Sequence, residues 1–262
     1  MCLLAVAFRV HPDAPLIVAA NRDELHARPA TPLTVLQRQR PRILGGRDQQ
    51  AGGTWLAVNE RGVVAGLTNM PGRPSPHGRR SRGFLPLLLA AKDSAADGVK
   101  ALEASTRPGE FNPCWLLVGD PRSLFYVDMT NARGPVVTEL EAGLHVMENR
   151  PLGSISSKAE WVQEALMPIG RLFGPDLVDH LQHLLASHVI PDQTSAAEPD
   201  RPPASRAPCV HLGAYGTRAA TVVVVPPDGR RPPEIWAADG PPCVTPLASA
   251  YHLWRGSQVT PM

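Results

Sequence analysis

The sequence is poor in cysteine, and its four cysteines lie far apart, at Cys2, Cys114, Cys209 and Cys243. It contains no CxxC pair and no run of cysteines and histidines. This spacing argues against a structural zinc site and against a disulfide scaffold. We therefore expect no metal ion, no cofactor and a location in the reducing cytoplasm.

Long apolar runs and a large charge excess are missing as well. No run approaches the ~18 apolar residues of a membrane span, and residues 1–8 show neither a basic leader nor a cleavage site. The 26 basic and 24 acidic residues leave a formal net charge of only +2. We therefore expect no integral membrane segment and no nucleic-acid partner, and the sequence does not indicate an oligomeric state.

The apolar content that is present suffices for a core. Residues of the hydrophobic class make up 43% of the 262 residues, as is usual for globular proteins. We predict a single domain over residues 1–262, with a mobile loop at the Pro- and Ser-rich segment 190–208. The polar and basic segment 30–50 is predicted to be an exposed connection.

Strand and helix patterns are segregated along the chain instead of alternating. Two hairpins are followed by a helix pair, a strand meander, a second helix pair and a final hairpin. The helices are predicted near 84–91, 94–105, 156–167 and 176–187. In the last of these, an apolar stripe is formed by Leu177, Leu181, Leu184, Leu185 and Val189. This order predicts an α+β protein in which antiparallel sheets are covered by layers of helices.

The first hairpin carries the most distinctive residues. Residues 3–8 and 16–20 are predicted strands around the turn His11-Pro12-Asp13-Ala14. Their apolar runs predict adjacent antiparallel strands in the interior of a sheet, covered on both faces. A four-residue loop makes paired positions sum to 25 and places Cys2 opposite Asp23. Asn21 and Asp23 then share one face of the strand, while Arg22 and Glu24 point to the other. A slip of one residue would exchange these two pairs.

Cys2 follows the initiator methionine, which is normally trimmed before a residue as small as cysteine. Trimming would give Cys2 both a thiol and a free α-amine. The usual pKa of such an amine is about 7.7–8.0, so it can act as a base for the thiol near neutral pH. The alternative is that Cys2 is a small core residue of a leading strand, and both interpretations stay open.

Six motifs carry a resemblance to a known family: MCLLAVAF, LIVAANRDE, ILGGRDQQAGGTWLAV, AGLTNMPG, HVMENRP and YGTRAATVVVV. Together they resemble the NRDE family, also called transport and Golgi organisation protein 2. More distantly, they are similar to N-terminal-nucleophile amide hydrolases of the choloylglycine hydrolase and penicillin V acylase type. This resemblance implies a four-layer αββα sandwich, in agreement with the segregated elements.

The resemblance also implies a set of site residues. The candidate catalytic residues are Cys2, Asp23, Asn69, Asn149 and Arg218, and the candidate substrate-binding residues are Asn21 and Arg22. In this scheme Asp23 orients the amine, Asn69 or Asn149 donates to the oxyanion, and Arg218 stabilises the thiolate or a substrate carboxylate. The hydrolases carry an arginine three residues before the aspartate, where this chain has Ala20. Its own Arg22 is predicted to lie on the opposite face.

Two functions remain open. The first is a cysteine hydrolase or acyltransferase acting on a linear amide or thioester. The second is a non-catalytic haem or acyl-coenzyme A and lipid carrier on the same scaffold, which the family resemblance implies. The partner is then a small acyl or amide substrate, or haem. Taken singly, each asparagine can be a turn residue and Arg218 a surface residue. The arginines of segment 71–82 are predicted to belong to a solvated charged loop.

Overall fold

The computed structural model describes residues 2–71, 78–191 and 202–255. Two seven-stranded antiparallel sheets lie face to face, and a pair of helices covers the outer side of each. The first sheet contains β1 (Leu3–Phe8), β2 (Leu16–Leu25), β10 (Gly143–Met147), β11 (His211–Leu212), β12 (Tyr215–Val225), β13 (Glu234–Ala238) and β14 (Ala248–Ser249). Its order is β10-β1-β2-β12-β13-β14, with β11 paired to β12.

The second sheet follows the chain order from β3 to β9. Its strands are β3 (Ala30–Gln37), β4 (Ile43–Asp48), β5 (Leu56–Asn59), β6 (Val64–Asn69), β7 (Cys114–Gly119), β8 (Leu124–Asp128) and β9 (Val136–Glu139). The helices are α1 (Leu85–Ala90), α2 (Ala95–Ser105), α3 (Ser157–Leu166) and α4 (Gly174–Ala186). The predicted αββα sandwich is therefore confirmed.

The core follows from side-chain alternation in the two central strands. In β1, Leu4, Val6 and Phe8 face the second sheet, while Leu3, Ala5 and Ala7 face the helices. The apolar stripe of α4 packs on that helical side, where Leu177, Leu181, Leu184 and Leu185 are buried. Both faces of β1 are thus covered, which explains its uninterrupted apolar sequence.

The first hairpin has the predicted partners but a different register. Strands β1 and β2 are adjacent, antiparallel and interior to the sheet, as predicted. Leu3 pairs with Asn21 and Phe8 with Leu16, so paired positions sum to 24 rather than 25. The difference arises in the loop, where Arg9 adopts a left-handed φ of 54° and its N–H donates to Pro15 O. Cys2 is therefore opposite Arg22 rather than Asp23.

The segment 30–50 is not an exposed connection, contrary to the prediction. It forms strands β3 and β4, and Ile43 and Leu44 are fully buried. Only the turn between them is strongly basic. β3 is an edge strand with half-buried side chains, which explains why its sequence lacks a clear apolar alternation.

The predicted loop 190–208 lies partly outside the described residues, which end at 191 and resume at 202. Its last part contains a short 3-10 helix at Pro203–Arg206 and buries Ser205 and Ala207. Within the described ranges, no helix has both the length and the hydrophobicity required to cross a membrane.

Candidate active site

A cavity of about 240 Å³ opens between the two sheets, where β1 begins and β6 ends. Cys2, Arg22, Asp23 and Asn69 all line it. The wall is completed by charged, small and aromatic residues: Glu24, Arg28, Asp48, Ala51, Gly53, Thr54, Trp55, Leu67, Arg79, Ser81, Arg82, Gly83 and Asn112. The fold thus gathers a thiol, four arginines, three acidic residues and two asparagines around one space.

Arg22 faces this cavity on the same side of the sheet as Cys2. Its guanidinium lies 4.4 Å from the centre of the Trp55 ring and 3.4 Å from Asp48 Oδ2. Asp48 is also bound at 2.6 Å by Arg28. The prediction that Arg22 points away from the thiol is wrong, because the one-residue change of register moves Cys2 to the face of Arg22.

Two further arginines reach the cavity from the segment that was predicted to be solvated. Arg79 and Arg82 belong to its described part, and burial lowers the pKa of Arg82. The segment approaches the sheet through glycines, since Gly83 O accepts from Thr54 N at 2.8 Å. A Cβ on Gly53 would lie 2.4 Å from the carbonyl carbon of Gly83. Only glycine permits this approach, so the glycine pair brings Arg82 beside the thiol.

Cys2 is a buried thiol with an exposed fraction of 7%. Burial raises its pKa, and the nearby charge of Asp23 adds to this effect. A hydrogen bond from the Asp23 backbone N–H and the charge of Arg22 act in the opposite direction. The cost of desolvating the anion is the largest contribution, and it favours the neutral thiol.

Asp23 points to the helical side of the sheet. Thr217 Oγ1 donates to its Oδ1 at 2.6 Å, and the fully buried Lys158 contributes a nearby positive charge. Burial raises the pKa of Asp23, while Lys158 and the hydroxyl of Thr217 lower it. Glu148 raises it further. Asp23 is thus part of a buried charged network at the start of β1.

Asn69 and Asn149 are brought together, although 80 residues separate them. Nδ2 of Asn149 donates to the backbone oxygen of Asn69 at 2.6 Å. Asn69 ends β6 and lines the cavity, whereas Asn149 is 4% exposed and is not part of the lining. The contact joins the ends of β6 and β10, one from each sheet.

Comparison with known proteins agrees with this architecture. The family model described as "Transport and Golgi organisation 2" matches residues 1–231. The chain belongs to the transport and Golgi organisation 2 family. It is 30% identical over 253 residues to the Transport and Golgi organization protein 2 homolog of Bos taurus, covering 87% of this chain and 90% of the relative. The homolog of Homo sapiens is 27% identical over 260 residues with the same coverage.

Among solved structures, this member of the transport and Golgi organisation 2 family is similar to the Caenorhabditis elegans N-acylethanolamine-hydrolyzing acid amidase ortholog. The TM-score is 0.51 at 12% identity, and the match covers 85% of this chain and 92% of the other. The likeness supports the N-terminal-nucleophile hydrolase fold that the sequence motifs predicted.

Besides Asn149, two predicted residues of this family member, Arg218 and Asn21, do not line the cavity. Arg218 lies at a bulge of β12, and its guanidinium donates to the carbonyls of Leu25 and Arg28. Asn21 points to the helices, where its Nδ2 donates to Leu185 O at 2.9 Å and to Pro208 O at 3.0 Å. Both side chains therefore contact the backbone of neighbouring segments.

Sequence reasoning missed Lys158 and Arg82. Lys158 stands in the first turn of an amphipathic helix, where a lysine is usually solvated, so the sequence contained no signal of its burial. Arg82 follows a run of exposed arginines. The position of Arg82 in the cavity wall depends on the contact between Gly53 and Gly83, which joins segments 30 residues apart in sequence.

Cysteine spacing also gave no indication of a group of potential metal ligands elsewhere in the fold. Folding brings His188, Cys209, His211 and Cys243 together, with one potential ligand atom from each within 4.8 Å of the others. These residues come from three separate segments, so their spacing along the chain could not reveal the cluster. The group lies outside the lining of the cavity around Cys2.

Proposed function

We propose that this protein is an N-terminal cysteine hydrolase or acyltransferase that acts on a linear amide or thioester. The observation that carries the proposal is the position of Cys2 at the start of β1, in a cavity that also contains Arg22, Asp23 and Asn69. An acyl-transfer site needs a nucleophile, a base and donors for the oxyanion in one concave space. Once Met1 is removed, the thiol and α-amine of Cys2 provide the nucleophile and the base, and Asn69 is a candidate donor for the oxyanion.

The α-amine of trimmed Cys2 is the base in this scheme. It takes the proton of the thiol as sulfur bonds to the acyl carbon and the carbonyl electrons move to oxygen. The resulting ammonium returns the proton to the leaving nitrogen or sulfur as the old acyl bond breaks, which leaves a thioester on Cys2. Water, activated by the amine, then releases the carboxylic acid. An acceptor amine or thiol in place of water gives acyl transfer.

The raised pKa of Cys2 agrees with this order of events. A neutral thiol avoids a buried anion in the resting protein, and the proton leaves only as the acyl group is attacked. Asp23 is close enough to influence the electrostatics of the thiol and is suited to hold the ammonium that forms. The positive charge of Arg22 favours the transition state, in which negative charge develops on sulfur and oxygen.

Asn69 is the proposed oxyanion donor, because this residue lines the cavity. Asn149 supports it through the bond to the Asn69 carbonyl, which holds the end of β6. One such donor is commonly worth about 2.7–4 kcal/mol of transition-state stabilisation. The role that the family resemblance assigned to Arg218 is better matched by Arg22 and Arg82, which do line the cavity.

The test uses intact-mass spectrometry on protein purified from cells. The purified chain should lack Met1, and incubation with an activated acyl ester or an acyl-coenzyme A should add one acyl group. Peptide mapping should place that group on Cys2, and a slow loss of the added mass should accompany release of the free acid. The variant C2A should gain no acyl mass, whereas C114A should label like the wild type. Retention of Met1 on all chains, or equal labelling of C2A, would contradict the proposal.

A second candidate is a carrier for an anionic ligand such as an acyl-coenzyme A or haem. It is favoured by the four cavity arginines, because guanidinium groups bind phosphate and carboxylate groups bidentately. Stoichiometric binding of acyl-coenzyme A without covalent labelling or hydrolysis would favour this carrier over the enzyme. Binding should then weaken in R82Q and remain unchanged in C2A.

A further inference from the structure

Four potential metal ligands converge beside the end of α4. His188 follows this helix, Cys209 and His211 lie just before or within β11, and Cys243 is in the loop after β13. Cys209 is 1% exposed, whereas His211 and His188 are exposed and Cys243 is partly so. The cluster therefore has a buried base and an open side toward solvent.

Three of the four ligand atoms have the separations of a tetrahedral site, and the fourth, on His188, lies within 4.8 Å of them. Cys209 Sγ lies 3.6 Å from Cys243 Sγ, and His211 Nε2 lies 3.7 Å and 3.3 Å from these two sulfurs. Zinc–sulfur bonds of about 2.3 Å and zinc–nitrogen bonds of about 2.0–2.1 Å, at tetrahedral angles, place two sulfurs about 3.8 Å apart and sulfur about 3.5 Å from nitrogen. A cation at the centre therefore fits without a large movement of these ligands.

We propose that these residues form a structural zinc site with two thiolate and two imidazole ligands: His188, Cys209, His211 and Cys243. Thiolate and imidazole ligands suit Zn²⁺, whereas Mg²⁺ and Ca²⁺ prefer oxygen. Four protein ligands close the coordination sphere, as in structural rather than catalytic zinc sites.

Contacts around the cluster hold its members in place. Nδ1 of His188 lies 3.2 Å from the carbonyl oxygen of Cys209, and a proton donated there leaves Nε2 unprotonated for a metal. The Cys209 N–H donates to Ser187 O at 2.9 Å. The two segments that provide His188 and Cys209 are thus joined by backbone contacts as well as by the proposed ion.

Hydrogen bonds connect the proposed zinc site to the cavity around Cys2. Val210, between two of the ligands, donates its N–H to Thr217 Oγ1 at 2.8 Å, and Thr217 donates to Asp23. A zinc ion would therefore fix the segment on which the orientation of the Asp23 carboxylate depends. It would act as a positioning element, since none of its ligands lines the cavity.

Metal content of the full-length chain, produced without a polyhistidine tag, tests the proposal. Inductively coupled plasma mass spectrometry should find about one zinc ion per chain. Exchange for Co²⁺ should give the visible d–d bands of tetrahedral cobalt and a thiolate-to-cobalt charge-transfer band. Treatment with a strong chelator should expose two additional thiols to a thiol reagent and lower the melting temperature of the wild type.

The variants separate the site from other cysteines and histidines. C243S and H211A each change a proposed ligand whose side chain is accessible to solvent. The fold should therefore persist, while the zinc content of the protein falls at least fivefold. The matched controls C114A and H183A change a buried cysteine and an exposed histidine outside the cluster, and both should retain zinc. C2A should also retain zinc, which makes this result independent of the proposed acyl transfer.

Three results would overturn the proposal. The first is wild-type protein without zinc that also fails to bind added Zn²⁺ or Co²⁺ under reducing conditions. The second is a disulfide between Cys209 and Cys243 that persists in protein purified from a reducing cytoplasm. The third is a normal zinc content in C243S and H211A, since the metal would then be bound elsewhere.

Discussion

Replacing Thr217 with valine should destabilise the protein strongly, although the two side chains have nearly the same shape. Thr217 is fully buried, and its hydroxyl donates to Asp23 Oδ1 at 2.6 Å while it accepts from Val210 N at 2.8 Å. Hydrogen bonds to charged groups contribute about 1.5–3 kcal/mol, and a buried N–H left without an acceptor costs about 1–3 kcal/mol. We expect a loss of roughly 3–5 kcal/mol in the free energy of unfolding.

The matched control is T217S, which keeps the hydroxyl and loses one methyl group. Its cost should be about 1 kcal/mol, close to the value of one buried methylene. Equilibrium unfolding in urea, followed by tryptophan fluorescence and by circular dichroism, measures both variants. The midpoint should fall further in T217V while the slope m stays constant, because the change is local.

The pH dependence provides a second readout. Burial raises the folded-state pKa of Asp23 above its unfolded value of about 3.9, so the folded protein binds this proton more tightly. The contribution of Asp23 to stability therefore declines as pH rises from the unfolded to the folded pKa, and it is constant above that range. Removing the hydroxyl raises the folded pKa further. The deficit of T217V should consequently be larger at neutral pH than at acid pH, where Asp23 is protonated.

Equal stability of T217V and T217S would refute this reasoning, since the hydroxyl would then contribute nothing beyond its shape. A deficit that is the same at acid and neutral pH would show that the Asp23 carboxylate is not the group involved.

Three other predictions concern the cavity. R22Q should raise the pKa of Cys2 and slow its alkylation at neutral pH, whereas R22K should stay near wild type, because the charge of Arg22 favours the thiolate. Equal rates in both variants would contradict the role of charge. G53A should reduce stability by about 1–3 kcal/mol, because its Cβ would lie 2.4 Å from the Gly83 carbonyl carbon, and an unchanged melting temperature would count against that close contact. N69A should lower kcat for an activated acyl substrate about 10²–10³-fold with little change in KM, and an unaffected kcat would exclude it as the oxyanion donor.

Local sequence determined much of the architecture. The uninterrupted apolar run at Leu3–Phe8 predicted a strand covered on both faces, and the structure places β1 between β10 and β2 with its two faces in different cores. The stripe of leucines on α4 predicted the buried face of that helix. These features were readable because side-chain period and burial are properties of short segments. The motifs around Cys2 and Asn69 also led to the correct family and fold.

The tertiary structure decided the chemistry around the thiol. A left-handed Arg9 shifts the hairpin by one residue, and this shift brings Arg22 rather than Asp23 to the face of Cys2. A backbone conformation in a loop depends on a small energy difference that residue types alone do not specify. Because side chains alternate along a strand, that small difference reverses which groups meet.

Long-range contacts decided the remaining groups. Lys158 is buried only because α3 packs on the first sheet, and His188 meets Cys243 only because the helix end and the loop after β13 lie together. Neither association leaves a periodic trace in the sequence, since the residues involved are separated by tens of positions. Residue periodicity thus determined the layers of this protein, whereas the packing of distant segments determined which charges and ligands share a site.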